Sequence, residues 1–207
     1  MRSKFVIGSG ASLDCALAAW REVDPDVDLK PVALSQDAAY AFDLSVLDGL
    51  VTDGATAFAA YDDQFLNFRR FELMGKLKER GFSMPPLVCA GALVANTASI
   101  GENAMIGAGA IIGHGCQIGF NTVIGSGANI GSGCRVGMSA WIEAGVVIGR
   151  AVKIGANVTL GSGVIVGNSV EVGKFCIIDA AGKITQNIAA KTFLQAAFDT
   201  PISIVEL

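Results

Sequence analysis

One histidine in this 207-residue chain is available for acid–base chemistry, His114, and it stands in the frame Ile112-Gly113-His114-Gly115-Cys116. The same frame recurs 18 residues later as Ile130-Gly131-Ser132-Gly133-Cys134, with serine in the histidine's place. Imidazole exchanges protons near neutrality, so His114 is the candidate general base, and Ser132 a candidate to orient it or the acceptor. The bland reading of a lone histidine, a surface or interface hydrogen-bonder, stands beside it. A second candidate is Gly8-Ser9-Gly10, between a strand pattern at Lys4–Ile7 and an amphipathic helical pattern at Leu13–Val23. A glycine turn that opens a helix N-terminus suits a phosphate group. The third glycine of a dinucleotide fingerprint is absent, Leu13 standing there, so a plain tight turn is equally open. Cys15, Cys89, Cys116, Cys134 and Cys176 form no CxxC pair; with a single histidine, no metal site is expected, and the thiols read as small core hydrophobes.

The frame around His114 belongs to a longer pattern. Val88 to Ala189 divides without a gap into six-residue units, each opening on Val, Ile or Leu, usually with glycine second and a small or apolar residue fifth. A hexad is too short to bury anything alone. Three hexads closing one triangular coil, with first and fifth residues inward and the turn at the glycine, give a parallel β-helix whose coils stack about 4.8 Å apart. Residues 18 apart then share a file. The outward sixth places give one polar file (Ser99, Gln117, Arg135, Lys153, Glu171) and two largely apolar ones: Met105, Val123, Trp141, Thr159, Ile177, and Ile111, Asn129, Val147, Ile165, Lys183. Two apolar faces on one prism ask for partners on both, and the smallest closed solution is a homotrimer. His114 and Ser132 fall on a polar corner with Asn96, Arg150, Asn168 and Gln186, while Ala108, Ser126, Ala144, Ser162 and Ala180 form a corner of small residues. Glu143 and Asp179 replace glycine at second places and read as solvated turn acids.

Residues 1–85 read as a small Rossmann-like α/β unit. Strand signals at Leu29–Leu34, Val46–Val51 and Ala57–Tyr61, the helix at Leu13–Val23 with Ser12 as N-cap, and a second helix at Phe65–Arg80 closed by Gly81 imply a parallel sheet with the glycine turn at a strand's carboxyl end. Ser83-Met84-Pro85-Pro86 is a stiff link to the β-helix at 86–189. In the 190–207 segment, Ala190–Phe198 reads as a short helix and Ile202–Leu207 as an extended tail capping the last coil. A hydrophobic content of 52% with 26 glycines comes from the repeat, and no apolar run approaches a membrane span. The net charge of −4 and the lack of a basic cluster argue against nucleic acid. The N-terminus lacks the apolar core of a signal peptide, so a cytoplasmic protein is expected.

A small α/β domain, a helix of the type Asn67-Phe68-Arg69-Arg70 to Leu77-Lys78-Glu79-Arg80-Gly81-Phe82, and then a hexapeptide β-helix together resemble the NeuD/PglD-like sugar acetyltransferases of the hexapeptide-repeat superfamily. The resemblance spans almost the whole chain. It implies a left-handed β-helix, acetyl-CoA as co-substrate in a groove between two subunits, and a nucleotide sugar held by the N-terminal domain at Gly8, Ser9 and Gly10. It further implies acyl transfer to a sugar amine or hydroxyl in surface-glycan assembly, with coenzyme contacts at Trp141, Arg150 and Ala180. The family's Ile-x-His-x-Cys motif overlies Ile130–Cys134, so Ser132 stands at the base position and His114 one coil earlier. A site moved by one coil, a register offset by one coil, and lost catalysis are the three explanations. Cys89-Ala90-Gly91-Ala92 replaces the family's His-Pro-Ser-Ala, Trp141 a second histidine, and Leu194–Phe198 the Gly-x-Pro-Ala tail. A catalytically silent ligand-binding or scaffold subunit is therefore the alternative reading.

Overall fold

The computed structural model describes residues 3–198 and 200–203. The N-terminal unit is a three-stranded parallel sheet in the order β2–β1–β3, with β1 at Ser3–Gly8, β2 at Asp28–Ala33 and β3 at Thr56–Ala60. Helix α1 (Gly10–Val23) and helix α2 (Gln64–Glu79) cover it. The sheet is apolar on both sides, as a parallel sheet must be. Val6, Phe58 and Ala60 meet Leu13, Leu17 and Trp20 of α1, while Ile7, Ala57 and Ala59 meet Leu73 and Leu77 of α2. Neither core stops at the domain boundary. The first includes Leu87 and Cys89 and reaches Met105, and the second includes Met84 and reaches Phe120.

From Leu87 the chain coils into three sheets of short parallel strands, paired at a step of 18 residues as far as Ile184, as in Val123↔Trp141, Asn129↔Val147 and Arg135↔Lys153. The step is 16 in the last coil, as in Val172↔Ile188, where the six-residue repeat expected to run unbroken to Ala189 shortens. First and fifth hexad places point inward: Ile106, Ile124, Ile130 and Ile142, with Ala110, Ala128, Cys134 and Val146, are fully or almost fully buried. The buried thiols donate to carbonyls of the next coil, Cys116 to Gly131 and Cys134 to Gly149. Burial holds the Cys134 thiol up at about 11, as suits an inert core group.

The turn chemistry differs from the sequence expectation. Left-handed backbone falls at the fourth place of the hexad, on Gly109, Gly115, Gly127 and Gly133 and also on Asn103, Asn121, Ser139 and Asn157. Glycine at the second place answers a different need. A Cβ on Gly113 would stand 2.7 Å from the Ser132 nitrogen, so bare backbone is required for coils to stack.

Four further expectations are corrected. Ser9, not Ser12, is the N-cap of α1, and its side chain makes no capping bond. Val46–Val51 is not a strand; Ser45–Leu47 is a short 3-10 turn that buries Leu47. The first turn of α2 is left-handed, with positive φ at Phe65, Leu66 and Asn67, so the regular helix begins at Phe68. Instead of a helix after Ala190, Thr192–Gln195 adds a parallel strand beside Ile177–Asp179, because pairing with the open last coil outweighs local alanine propensity. Ile202–Ser203 then lies antiparallel on that strand and covers the edge, as a cap should; the rest of the expected tail, 204–207, lies outside the described residues.

Candidate active site

Two clusters emerge, on different sides of the prism. The first lies where the N-terminal unit meets the sheet that carries Met105, Val123 and Trp141. Gly8 ends β1 with its α-carbon pressed against β3; a Cβ there would come within 1.6 Å of the Ala60 oxygen. This glycine is needed for sheet closure rather than for ligand approach. Ser9 follows, half-buried, and Gly10 takes φ +54° and opens into solvent. The chain turns here into α1, so the first amides of a 14-residue helix point out at the carboxyl end of the sheet. Tyr61, just past β3, is buried beside them and bonds to Gln36. Burial raises its phenol, and a hydrogen bond with Ser9 offsets this in part.

Below this turn is a mainly apolar cavity of ≈ 220 Å³, bounded by Ala11 and Cys15 of α1, Phe58, Tyr61, Val123 and Trp141. Trp141 donates from Nε1 to the Glu143 carboxylate at 2.8 Å. Glu143 is therefore a partly buried, bonded residue rather than a solvated turn acid, whereas Asp179 is exposed as expected. Asp63 lies close enough to feel Glu143: partial burial raises its carboxyl first, and the charges of Asp62 and Glu143 add to this.

The docking also changes the count of free faces. The apolar file Met105, Val123, Trp141, Thr159 and Ile177 is buried or half-buried, with the N-terminal unit packed against its first members. One of the two faces expected to need a partner is thus partly covered from within. On the other, Leu93, Ile111, Val147 and Ile165 are exposed.

The second cluster lines the corner beside that open face. His114 is exposed, with Nδ1 3.2 Å from Thr97 Oγ1. Its carbonyl accepts from the Gly133 N–H, and the Ser132 carbonyl accepts from the Ala151 N–H, so Ser132 and then Arg150 follow along the same corner. Asn168 Oδ1 caps the Arg150 amide at 2.8 Å. The amides of Gly115 and Gly133 are both engaged, to Thr97 and His114, whereas those of His114 and Ser132 have no acceptor among the described residues. A shallow cavity is bounded by Leu93, Ala95, Ile111 and His114, and another farther along involves Val147, Ile165, Asn168 and Lys183.

Of the residues marked in the sequence, Gly8, Ser9 and Gly10 lead into Ala11 and Ser12, which share a cavity with Trp141, and His114, Ser132 and Arg150 share one corner. Ala180, half-buried, lies on the corner between the covered and open faces. Sequence reasoning missed Thr97, Tyr61 and the buried Arg70. A threonine at a hexad's fourth place, where glycine or asparagine predominates, was the available signal for Thr97.

Comparison with known proteins agrees with this fold. The family model described as bacterial transferase hexapeptide (six repeats) matches residues 97–132 and 133–168. Residues 97–168 are hexapeptide repeats. Among solved structures, the acetyltransferase domain of PglB from Neisseria gonorrhoeae in complex with acetyl coenzyme A aligns with TM-score 0.83 and 18% identity over 98% of this chain and 100% of that one. PerB from Caulobacter crescentus in complex with CoA and GDP-perosamine aligns with TM-score 0.78 and 23% identity over 93% of each chain. WeeI from Acinetobacter baumannii aligns with TM-score 0.68 and 15% identity over 98% and 100%. At such identities the shared property is the fold, α/β unit and β-helix together. No curated protein matches by sequence.

Proposed function

We propose that the protein is an acetyl-CoA-dependent acyltransferase acting on the amine or hydroxyl of a nucleotide-linked sugar, with His114 as general base. One observation carries the reading: the chain aligns over nearly its full length with two-part folds solved with acetyl-CoA in one case and with CoA plus a nucleotide sugar in another. Within this chain, the α1 N-terminus at Ser9 and Gly10 is the place for the sugar nucleotide's phosphates. In the reaction, the acceptor O–H or N–H gives its proton to His114 as its heteroatom attacks the thioester carbonyl. The C–S bond then breaks, the coenzyme thiolate leaves and takes that proton back from the imidazolium, and the acylated sugar departs. The Ser132 N–H, one of two amides on this corner without an acceptor among the described residues, is assigned to steady the carbonyl oxygen during attack.

The coenzyme has a natural berth along the open apolar face. Its adenine and pantetheine would lie on Ile111, Val147 and Ile165, bounded by Arg150 on one corner and Ala180 on another. These contacts do not converge within one protomer, which supports a groove completed by a second copy and, by closure, a homotrimer. An Ile165→Asp variant is expected to sediment as a monomer and lose coenzyme affinity; a variant that stays trimeric would remove this face from the interface.

A cytoplasmic location fits five unpaired thiols, although the structure itself establishes only that no described helix is long and apolar enough to cross a membrane. No described group of His, Cys, Asp and Glu could hold a metal ion, and the proposed chemistry needs none. The test is a thermal-shift titration. Acetyl-CoA at about 100 times its Kd should add about 2.7 kcal/mol to apparent stability, followed by thiol release with a panel of nucleotide-linked amino sugars. A nucleotide-sugar shift without a coenzyme shift would favour a binding subunit, for which Ser132 at the expected base position already speaks.

A further inference from the structure

The corner that holds His114 has one irregularity. At the fourth place of every hexad from Gly91 to Phe175 the backbone has positive φ, except at Thr97. β-Branched side chains are strongly disfavoured there, and Thr97 stays out. Along the rest of this corner a fourth-place N–H donates to the third-place carbonyl one coil back: Gly133 to His114, Ala151 to Ser132, Ser169 to Arg150. By that rule Gly115 would reach for the Asn96 carbonyl. It donates instead to Thr97 Oγ1, at 3.0 Å. A side-chain hydroxyl has therefore replaced a backbone carbonyl in the ladder, at the one coil where the next residue over is the histidine. The same oxygen meets His114 Nδ1 at 3.2 Å.

We infer that Thr97 is the positioning residue for His114: its Oγ1, fixed by the Gly115 N–H, accepts the Nδ1 proton and leaves Nε2 unprotonated on the exposed side of the ring. The inference rests on His114 being the general base. A neutral imidazole carries one ring proton, and the partner of one nitrogen decides what the other can do. Held on Nδ1, the proton leaves Nε2 with a lone pair ready for the acceptor; held on Nε2, it would make the outward nitrogen a donor and useless as a base. The corner file Asn96, His114, Ser132, Arg150 and Asn168 offers no carboxylate to do this. A hydroxyl takes the tautomer-setting role that an aspartate fills in other histidine-based sites.

The single histidine makes the test direct, since every imidazole signal of ¹⁵N-labelled protein belongs to His114. Nitrogen shifts recorded on the neutral ring should show the proton on Nδ1. Thr97→Val, which keeps the shape and removes the oxygen, should move it to Nε2 and lower kcat roughly tenfold with KM for both substrates unchanged. Thr97→Ser should preserve the tautomer and the rate. A wild-type ring protonated on Nε2, or a tautomer that Thr97→Val does not move, overturns the inference while leaving the base assignment standing. Full turnover in His114→Ala overturns the base assignment itself, and with it the catalytic meaning of Thr97, whatever the nitrogen shifts show.

Discussion

His114→Ala is expected to slow acyl transfer by roughly 10²-fold or more, through kcat, while the melting temperature and oligomeric state stay as in the parent. The separation of effects follows from where the residue lies. His114 is exposed on a corner, its side chain fills no core volume, and the carbonyl that joins it to the Gly133 N–H of the next coil does not depend on the imidazole. Without the ring, the acceptor must lose its proton to water while it attacks, and the departing thiolate has no acid beside it. Single-turnover measurements with preformed coenzyme complex isolate this step. A loss smaller than about threefold would take His114 out of the mechanism and turn attention to Ser132 and to the binding-subunit reading. Ser132→Ala should cost less, because only its amide, not its hydroxyl, is assigned a place in the reaction.

The other large effect belongs to a residue far from the chemistry. Arg70 is 1% exposed and pairs with no carboxylate among the described residues. Its guanidinium donates to the Ala59 carbonyl at 3.0 Å, to the Asn121 carbonyl at 2.6 Å and side chain at 2.9 Å, and to the Asn103 carbonyl at 2.7 Å. Around it, Asn103 Oδ1 accepts from the Ala59 N–H, Asn67 donates to the Ser139 carbonyl, and Asn157 to that of Leu66. These bonds join β3 and α2 to one corner of the β-helix. Burial of the charge is itself a cost, and pulls the Arg70 pKa down to about 9.

Arg70→Ala therefore removes a cost but strands the carbonyls of Asn103 and Asn121 in a buried gap. The second effect should dominate, with a net loss of about 3 kcal/mol. Arg70→Met, which fills the space without donors, should recover only the packing part. Urea titration followed through Trp20 and Trp141 would show the N-terminal unit releasing before the β-helix. A single transition with unchanged midpoint would show that the seam contributes no stability.

How much of this was legible beforehand depended on whether a residue's role was periodic. The six-residue spacing assigned Ile106, Cys134 and Val146 to the interior correctly, because inward and outward places repeat with the coil. It placed His114 and Ser132 on one corner for the same reason. The role of Asn103, Asn121 and Asn157 was not legible. Each occupies the left-handed fourth place that glycine takes elsewhere, and what they bind comes from α2 and β3, distant in sequence. Thr192–Gln195 was misread because its flanking alanines favour helix, while the strand it forms depends on an unpaired edge created by the coil before it. The left-handed turn at Phe65–Asn67 carries no sequence signature at all; three such residues cost about 1 kcal/mol or more each, and the Leu66 and Asn67 bonds to the β-helix hold them there.

The 18-residue pairing step, unbroken through the coils around His114, makes the β-helix a ruler with fixed graduations. A base on one of its corners cannot be nudged along the axis; it moves by whole coils, about 4.8 Å at a time. Under the proposed function, with a sugar nucleotide at Gly10 and the N-terminal unit locked to its corner by Arg70, the coil that bears the imidazole would determine which atom of the acceptor ring comes within reach. His114, one graduation away from Ser132, sets a different reading on that scale, and regiochemistry in such a scaffold is written in integers.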